Sequence, residues 1–138
     1  KLSSKREEKK SDSAEVIQKT IYSIKELSLS LKSLRTFIHE EKYIDETEKA
    51  KQKFSELINF SKHLNQQTRG FINNKIVEKA HNSLFSSLIT TIKSAKQALE
   101  GNTTLEYLDI RLMDILSQFK IFLKMIQHEE HEQNKRIL

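Results

Sequence analysis

The sequence contains no cysteine, no proline and only two glycines in 138 residues. Without cysteine, the chain can form no disulfide, no thiolate zinc site and no cysteine nucleophile. Because turns and hairpins depend on proline and glycine, their scarcity favours an all-α fold. The two glycines, Gly70 and Gly101, are too far apart to form a glycine-rich phosphate loop, which excludes nucleotide binding through that device.

Long hydrophobic runs are also missing from the chain. No apolar run approaches the roughly 18 residues that a membrane span requires. The net charge of +5 favours contact with acidic surfaces without requiring nucleic acid. The length fits one domain with a single elongated core, so we expect one helical domain without a membrane span of its own.

Apolar residues instead recur at alternating three- and four-residue steps along four stretches of the chain. This spacing places them on one face of an α-helix. Four such helices joined by short connections predict an antiparallel up-down-up-down four-helix bundle. The clearest apolar stripe, on the fourth predicted helix, consists of Leu105, Leu108, Leu112, Ile115, Phe119, Phe122 and Ile126.

Capping residues set the expected helix boundaries. An acceptor followed three positions later by an acid predicts a helix start, because the two side chains satisfy the first backbone N–H groups. Such pairs are Asp12 with Glu15, Asp45 with Glu48, and Thr103 with Glu106. Helix 1 is expected from about residue 13 to residue 42, and helix 4 from about residue 104 to beyond residue 127.

Turn residues are expected between the later helices. Asn73 and Asn74 tolerate left-handed or capping conformations and predict the turn before helix 3. Gly101 follows the last apolar residue of that helix, where a positive φ angle commonly closes the final carbonyls. In helix 2, Ser61 and Thr68 interrupt the apolar stripe.

Residues 1–11 are charged and serine-rich and contain a single apolar side chain. Such a segment cannot bury enough surface to offset the entropy of ordering, so we expect a flexible charged tether or a frayed helical lead-in there. Residues 12–138 are then the four-helix bundle domain. Because the sequence starts at Lys1, with no methionine or signal peptide, we expect an excised domain or a mature fragment, for which any anchor would lie upstream.

The last predicted helix ends in a cluster of histidines and acids. Two imidazoles one helical turn apart amid carboxylates can hold a divalent metal. A solvated helix end is the favoured interpretation, because di-iron bundles need an inward acid on every helix and helices 1 to 3 lack one. We therefore predict no metal and no cofactor. The cluster comprises His128, Glu129, Glu130, His131 and Glu132.

No catalytic constellation is apparent elsewhere. His39, His63 and His81 are dispersed, and none has a serine or an acid at a suggestive spacing. We assign them structural or surface roles and predict that the chain is not an enzyme.

Basic residues recur along helices 1 and 3, where a solvated face is the favoured interpretation. Nucleic-acid binding is not expected, since the phenylalanines fall on the apolar stripes and few arginines accompany them. Arg35 and Arg111 stand apart because a planar, always-charged guanidinium suits an acidic pocket. A second apolar set on helix 4, containing Ile110, Met113 and Leu116, is a candidate partner surface.

Two long segments resemble known proteins. SAEVIQKTIYSIKELSLSLKSLRTF and KFSELINF through IFLKM resemble the helical domains of Borrelia surface lipoproteins. The similarity is to the C-terminal domain of the fibronectin-binding proteins and to the OspEF-like leader (Erp/Elp) lipoproteins. It covers about residues 13–126 and depends on helix order, a composition typical of AT-rich genomes and scattered matches.

The resemblance implies a non-enzymatic virulence domain for immune evasion at the bacterial cell surface, anchored to the outer membrane as a lipoprotein. It further implies binding and inhibition of the serine proteases that initiate the classical complement pathway, subcomponents r and s of the first component. These proteases are trypsin-like, with an acidic specificity pocket that accepts a basic side chain. Fibronectin binding is not expected, because the relatives use a segment upstream of this domain.

Four residues are the candidate partner contacts that the resemblance implies. Arg35, in SLRTF, falls where the relatives carry an arginine late in their first helix. Their second basic contact lies early in the last helix, where this chain has LEYLDIRLM, with Asp109 near the expected position and Arg111 two residues later. Tyr107 shares this helix. Because this chain has the acidic Asp109 near the position of the relatives' second basic contact, the expected target is a protease zymogen or a protease surface outside the pocket.

An alternative is a scaffold bundle of the talin or vinculin type, which buries an amphipathic partner helix between its own helices. The stretch SLITTIKSAKQAL is typical of such bundles, although its alanine content is low for one.

Overall fold

The computed structural model describes the backbone of residues 2–70, 72–101 and 104–137, with side chains from Glu15 to His128 outside these gaps and from Glu130 to Glu132. These residues form five helices and no strand, which confirms the all-α prediction. The helices are α1 (Leu2–His39), α2 (Lys42–Asp45), α3 (Thr47–Arg69), α4 (Lys75–Glu100) and α5 (Glu106–Ile137). Among the described residues, no helix is both long enough and apolar enough to cross a membrane.

The four long helices enclose one apolar core. Helix α1 packs against α5 and α3, and α4 packs against the same two helices. Helices α1 and α5 run antiparallel: Gln18 Nε2 lies 2.6 Å from Glu130 Oε1 near one end, and Arg35 Nε lies 2.8 Å from Asp109 Oδ1 near the other. All seven residues of the stripe on α5 are buried, which confirms their assignment to the core.

The predicted boundaries of helix 1 are wrong at both ends. Helix α1 begins at Leu2 and passes through Asp12, because the helical backbone hydrogen bonds simply continue there. It ends at His39, and Glu41 adopts a left-handed conformation with φ 57°. The break lets Tyr43 turn into the core, where its hydroxyl accepts a hydrogen bond from the Leu105 N–H at 3.3 Å. Residues 2–11 continue α1, and the tether stays a prediction.

The other capping predictions have mixed outcomes. Asp45 is the last residue of α2 and does not cap α3, whose N-cap position is taken by Glu46 without a side-chain hydrogen bond. Asn74 is confirmed as a capping residue, since its side chain accepts hydrogen bonds from the N–H groups of Ile76 and Val77 at 2.8 and 3.4 Å. The prediction of a positive φ angle at Gly101 is wrong.

At Gly101 the observed φ is −91°, and its N–H donates to the Ala98 carbonyl at 3.2 Å. The last turn of α4 is thus closed by a short-range backbone bond that needs no left-handed residue. The pair of Thr103 and Glu106 falls partly outside the described residues, and α5 begins at Glu106.

Candidate protein-binding surface

The structure brings together two of the four predicted contact residues, Arg35 and Asp109. Arg35 lies near the end of α1 and Asp109 in the first turn of α5. The guanidinium Nε donates to Asp109 Oδ1 at 2.8 Å, and both side chains are about one third exposed, at 32 % and 34 %. Arg35 Nη2 also lies 3.8 Å from Met113 Sδ, one turn further along α5. The guanidinium of Arg35 is therefore held against α5 by two contacts.

The charges of this pair support each other. The hydrogen bond from Arg35 lowers the pKa of Asp109, desolvation opposes that shift, and the charges of Arg35 and His39 add to the lowering. Asp109 is consequently a carboxylate at neutral pH and remains one into the acid range. Because the pair is partly solvated, it contributes no more than about 1 kcal/mol to folding.

Arg111 and Tyr107 lie on a different side of α5. Arg111 comes two positions after Asp109, which corresponds to a rotation of about 200° around the helix axis. Tyr107 and Arg111, four residues apart, share a side, and Gln118 follows Arg111 after two turns. Since Gln118 lines a small cleft with α4, Tyr107 and Arg111 lie on the α4 side of α5, where both are exposed. The four candidates thus form two separate pairs.

A groove between α1 and α5, beginning at Arg35, was not predicted as a site. Its volume is about 610 Å³. Its floor is apolar and includes Met113, which is 50 % exposed, and the outer edge of its α1 wall carries Leu29, which is 64 % exposed. We call this the α1–α5 groove. It is lined by Lys25, Ser28, Leu29, Lys32, Arg35, Met113, Leu116, Ser117, Phe119, Lys120 and Leu123.

Partial signals for this groove are present in the local sequence patterns. The basic positions along helix 1 and the second apolar set on helix 4, each noted separately, form its two walls. Leu29 and Lys120 were missed, because their joint position depends on which turns of α1 and α5 face each other. That register is set by contacts between residues far apart in the chain.

A second groove lies on the other side of α1, between α1 and α3. Its volume is about 490 Å³, and Leu29 lines it too. It carries Glu26, Lys53 and Glu56, and its base includes Leu57 and the partly buried Phe60. We call this the α1–α3 groove.

His81 lies in the core at 0 % exposure, between the rings of Phe85 and Phe122 at centroid distances of 4.8 and 5.7 Å. Burial lowers the pKa of His81, and the hydrogen bond that its Nδ1 donates to Asn82 Oδ1 at 3.0 Å only partly opposes this. A neutral imidazole enclosed by aromatic rings cannot meet a substrate. The structural role expected for His81 agrees with this position.

The histidine-rich end of α5 does not assemble a metal site from the described side chains, which hold no group of three or more metal-binding residues. Glu130 accepts a hydrogen bond from Gln18 on α1 at 2.6 Å, and its carboxylate is therefore engaged across the helix pair. The side chain of Glu129 lies outside the described residues.

The chain matches no protein-family model, no curated protein and no solved structure. The resemblance to Borrelia lipoproteins therefore depends on the segments quoted above alone.

Proposed function

We propose that the chain is a non-enzymatic domain that binds and inhibits the initiating serine proteases of the classical complement pathway, subcomponents r and s of the first component. The observation that best supports the proposal is the basic and apolar surface of α1 and α5, which contains Arg35, the first candidate contact. The supporting scaffold is proposed to be an up-down-up-down four-helix bundle, in keeping with the pairwise packing of the four long helices.

Inhibition is proposed to act outside the specificity pocket of the protease. Arg35 already has a carboxylate partner 2.8 Å away, so entry into an acidic pocket would only exchange Asp109 for another acid. Such an exchange also requires the side chain to leave its contact with Met113. A rigid helix face could instead cover the zymogen, or cover the surface on which the protease binds its protein substrates. Neither mode requires Arg35 to leave Asp109 or Met113.

The test uses the purified 138-residue chain with each protease, as zymogen and as active enzyme. Binding is measured by biolayer interferometry, and function by haemolysis through the classical pathway. We expect a Kd below the micromolar range for at least one protease form, together with loss of haemolysis. No binding at micromolar concentrations would refute the proposal.

The mode of inhibition is tested with two substrates. A small chromogenic substrate reports the specificity pocket, and a natural protein substrate also needs the surrounding surface. We expect cleavage of the protein substrate to fall while turnover of the chromogenic substrate persists. Equal inhibition of both by active protease would show blockade of the pocket instead.

The two arginines provide a matched pair of variants. A contact of the hot-spot type loses at least ~1 kcal/mol of binding free energy when truncated to alanine. We expect Arg35→Ala to have such an effect and Arg111→Ala, on the α4 side of α5, to have a smaller one. Unchanged affinity in both variants would remove both arginines from the interface.

The bacterial surface location is part of the same proposal. A lipidated cysteine upstream of Lys1 in the complete protein, detected by metabolic labelling with a fatty acid, would support it. Further helical repeats upstream would favour the scaffold alternative of the talin or vinculin type.

A further inference from the structure

We propose that the α1–α5 groove binds an acidic amphipathic helix of a partner protein. The inference concerns the surface and the chemistry of its occupant, so it goes beyond the proposed function and does not require a complement protease.

The shape of the groove fits a helix. Its wall on α1 extends from Lys25 to Arg35, ten positions later, which corresponds to a rise of about 15 Å along the helix axis. A partner helix of about three turns has the same length. A concave cleft between two helices accepts the ridge of a third, whereas a membrane surface is flat and would contact only the rims.

The floor of the groove offers apolar contacts that the folded chain leaves in water. Met113 on α5 is 50 % exposed, and Leu116 and Leu123 are partly buried, while Leu29 at the outer edge of the α1 wall is 64 % exposed. Burial of apolar surface is the main favourable contribution to association. Leucine-sized side chains at three- and four-residue spacing on the partner would cover this floor.

The rims of the groove select an acidic occupant. Lys25 and Lys32 line the α1 side and Lys120 lines the α5 side, and all three are exposed. Among the described side chains, no carboxylate lines the groove, and no ion pair involves these lysines. Asp109 neutralises Arg35 at one end only. Carboxylates about seven residues apart on a partner helix would match the spacing of Lys25 and Lys32.

The neighbouring α1–α3 groove does not share the basic character of the α1–α5 groove. It shares Leu29 and has a comparable volume, but two of its three charged residues are Glu26 and Glu56. An acidic helix would meet repulsion there. The difference in charge across a single helix therefore assigns the acidic partner to the α1–α5 side.

The test measures fluorescence anisotropy of a labelled synthetic helix of about 18 residues, with leucines along one face and flanking glutamates at seven-residue spacing. The probe is titrated with the 138-residue chain. One control peptide carries lysine in place of each glutamate. The other has the same composition in a scrambled order that forms no apolar face. We expect the acidic amphipathic peptide to bind at least tenfold more tightly than either control.

Variants of equal charge change locate the site. Lys25→Glu with Lys32→Glu should weaken peptide binding at least tenfold. Lys79→Glu with Lys93→Glu, at exposed positions on α4, should change it less than twofold. Circular dichroism checks that every variant remains helical. As a test of the floor, Met113→Ser leaves the net charge unchanged and should weaken binding severalfold.

Several outcomes would overturn the inference. The first is equal binding of all three peptides, and the second is an equal effect of the two double variants. The third is that the chain binds phosphatidylglycerol vesicles more tightly than the peptide, and that vesicle binding is weakened by Lys25→Glu with Lys32→Glu as much as peptide binding is. Peptide binding without protease binding would refute the proposed function only. Protease binding without peptide binding would refute the groove only.

Discussion

The two grooves beside α1 differ in charge although they share a helix and the exposed Leu29. The α1–α5 groove has three unpaired lysines among its described lining residues, and the α1–α3 groove has two glutamates and one lysine. Lys53 in the latter also lies 5.4 Å from the ring centre of Phe37, where a cation–π contact engages it. Their volumes are similar, so shape alone does not distinguish them. Charge determines which groove can receive an acidic partner.

Buried aromatic side chains support the walls of both grooves. Phe119, 1 % exposed, lies under the α1–α5 groove, and Phe54, 0 % exposed, anchors α3 beside the other. We expect Phe119→Ala and Phe54→Ala each to lower the free energy of unfolding by about 3–5 kcal/mol. Urea denaturation followed by circular dichroism measures this. A loss below about 1 kcal/mol at Phe119 would mean that the α1–α5 groove has no packed floor.

His81 makes the stability of the bundle depend on pH. Its pKa in the folded chain lies below its ordinary value of 6.5, so the unfolded chain binds the proton more readily. The contribution of His81 to stability is therefore fully present above about pH 6.5 and is lost as the pH falls through the folded pKa.

Thermal unfolding between pH 8 and pH 5 measures this dependence. His81→Gln should reduce the slope of stability with pH below 6.5. An identical slope in wild type and His81→Gln would contradict the assignment.

The ion pair at the end of the α1–α5 groove should matter little for folding. We expect the coupling energy between Arg35→Ala and Asp109→Ala, in a double-mutant cycle, to be about 0.2–1 kcal/mol, because both side chains are partly solvated. Equilibrium unfolding in urea at pH 7 gives this value. A coupling energy of several kcal/mol would show that the pair is a structural element of the bundle and not part of an adaptable surface.

The smallest effect is expected at Leu29, the residue that both grooves share. Leu29→Ala should change the free energy of unfolding by less than about 0.5 kcal/mol, since the side chain is 64 % exposed. It should nevertheless weaken binding of the acidic amphipathic peptide. A large loss of stability would mean that Leu29 belongs to the core.

Local patterns were sufficient to predict the core and one cap. The apolar stripe on α5 is buried along its whole length, and Asn74 caps α4, because each depends on residues a few positions apart. The helix break at Glu41 was not predictable in this way. It accompanies the burial of Tyr43 and its bond to Leu105, 62 residues later.

The candidate site was only partly predictable for the same reason. Arg35 and Asp109 were both identified from the resemblance, but their ion pair joins residues 74 positions apart and is found only once α1 and α5 are in register. Lys120 and Leu29 carry no local signal, since an exposed lysine or leucine is common on any helix. They become candidate contacts because Leu29 on α1 and Lys120 on α5 line the same groove.

Hydrogen–deuterium exchange of the 138-residue chain, with and without a bound protease of the first complement component, shows whether the α1–α5 groove, and not the α1–α3 groove, is covered by the protease. The comparison of the two grooves predicts added protection in residues 25–35 of α1 and 113–123 of α5, with no change in residues 53–60 of α3. Protection of the α3 segment without the α5 segment, or no protection on either, would contradict it.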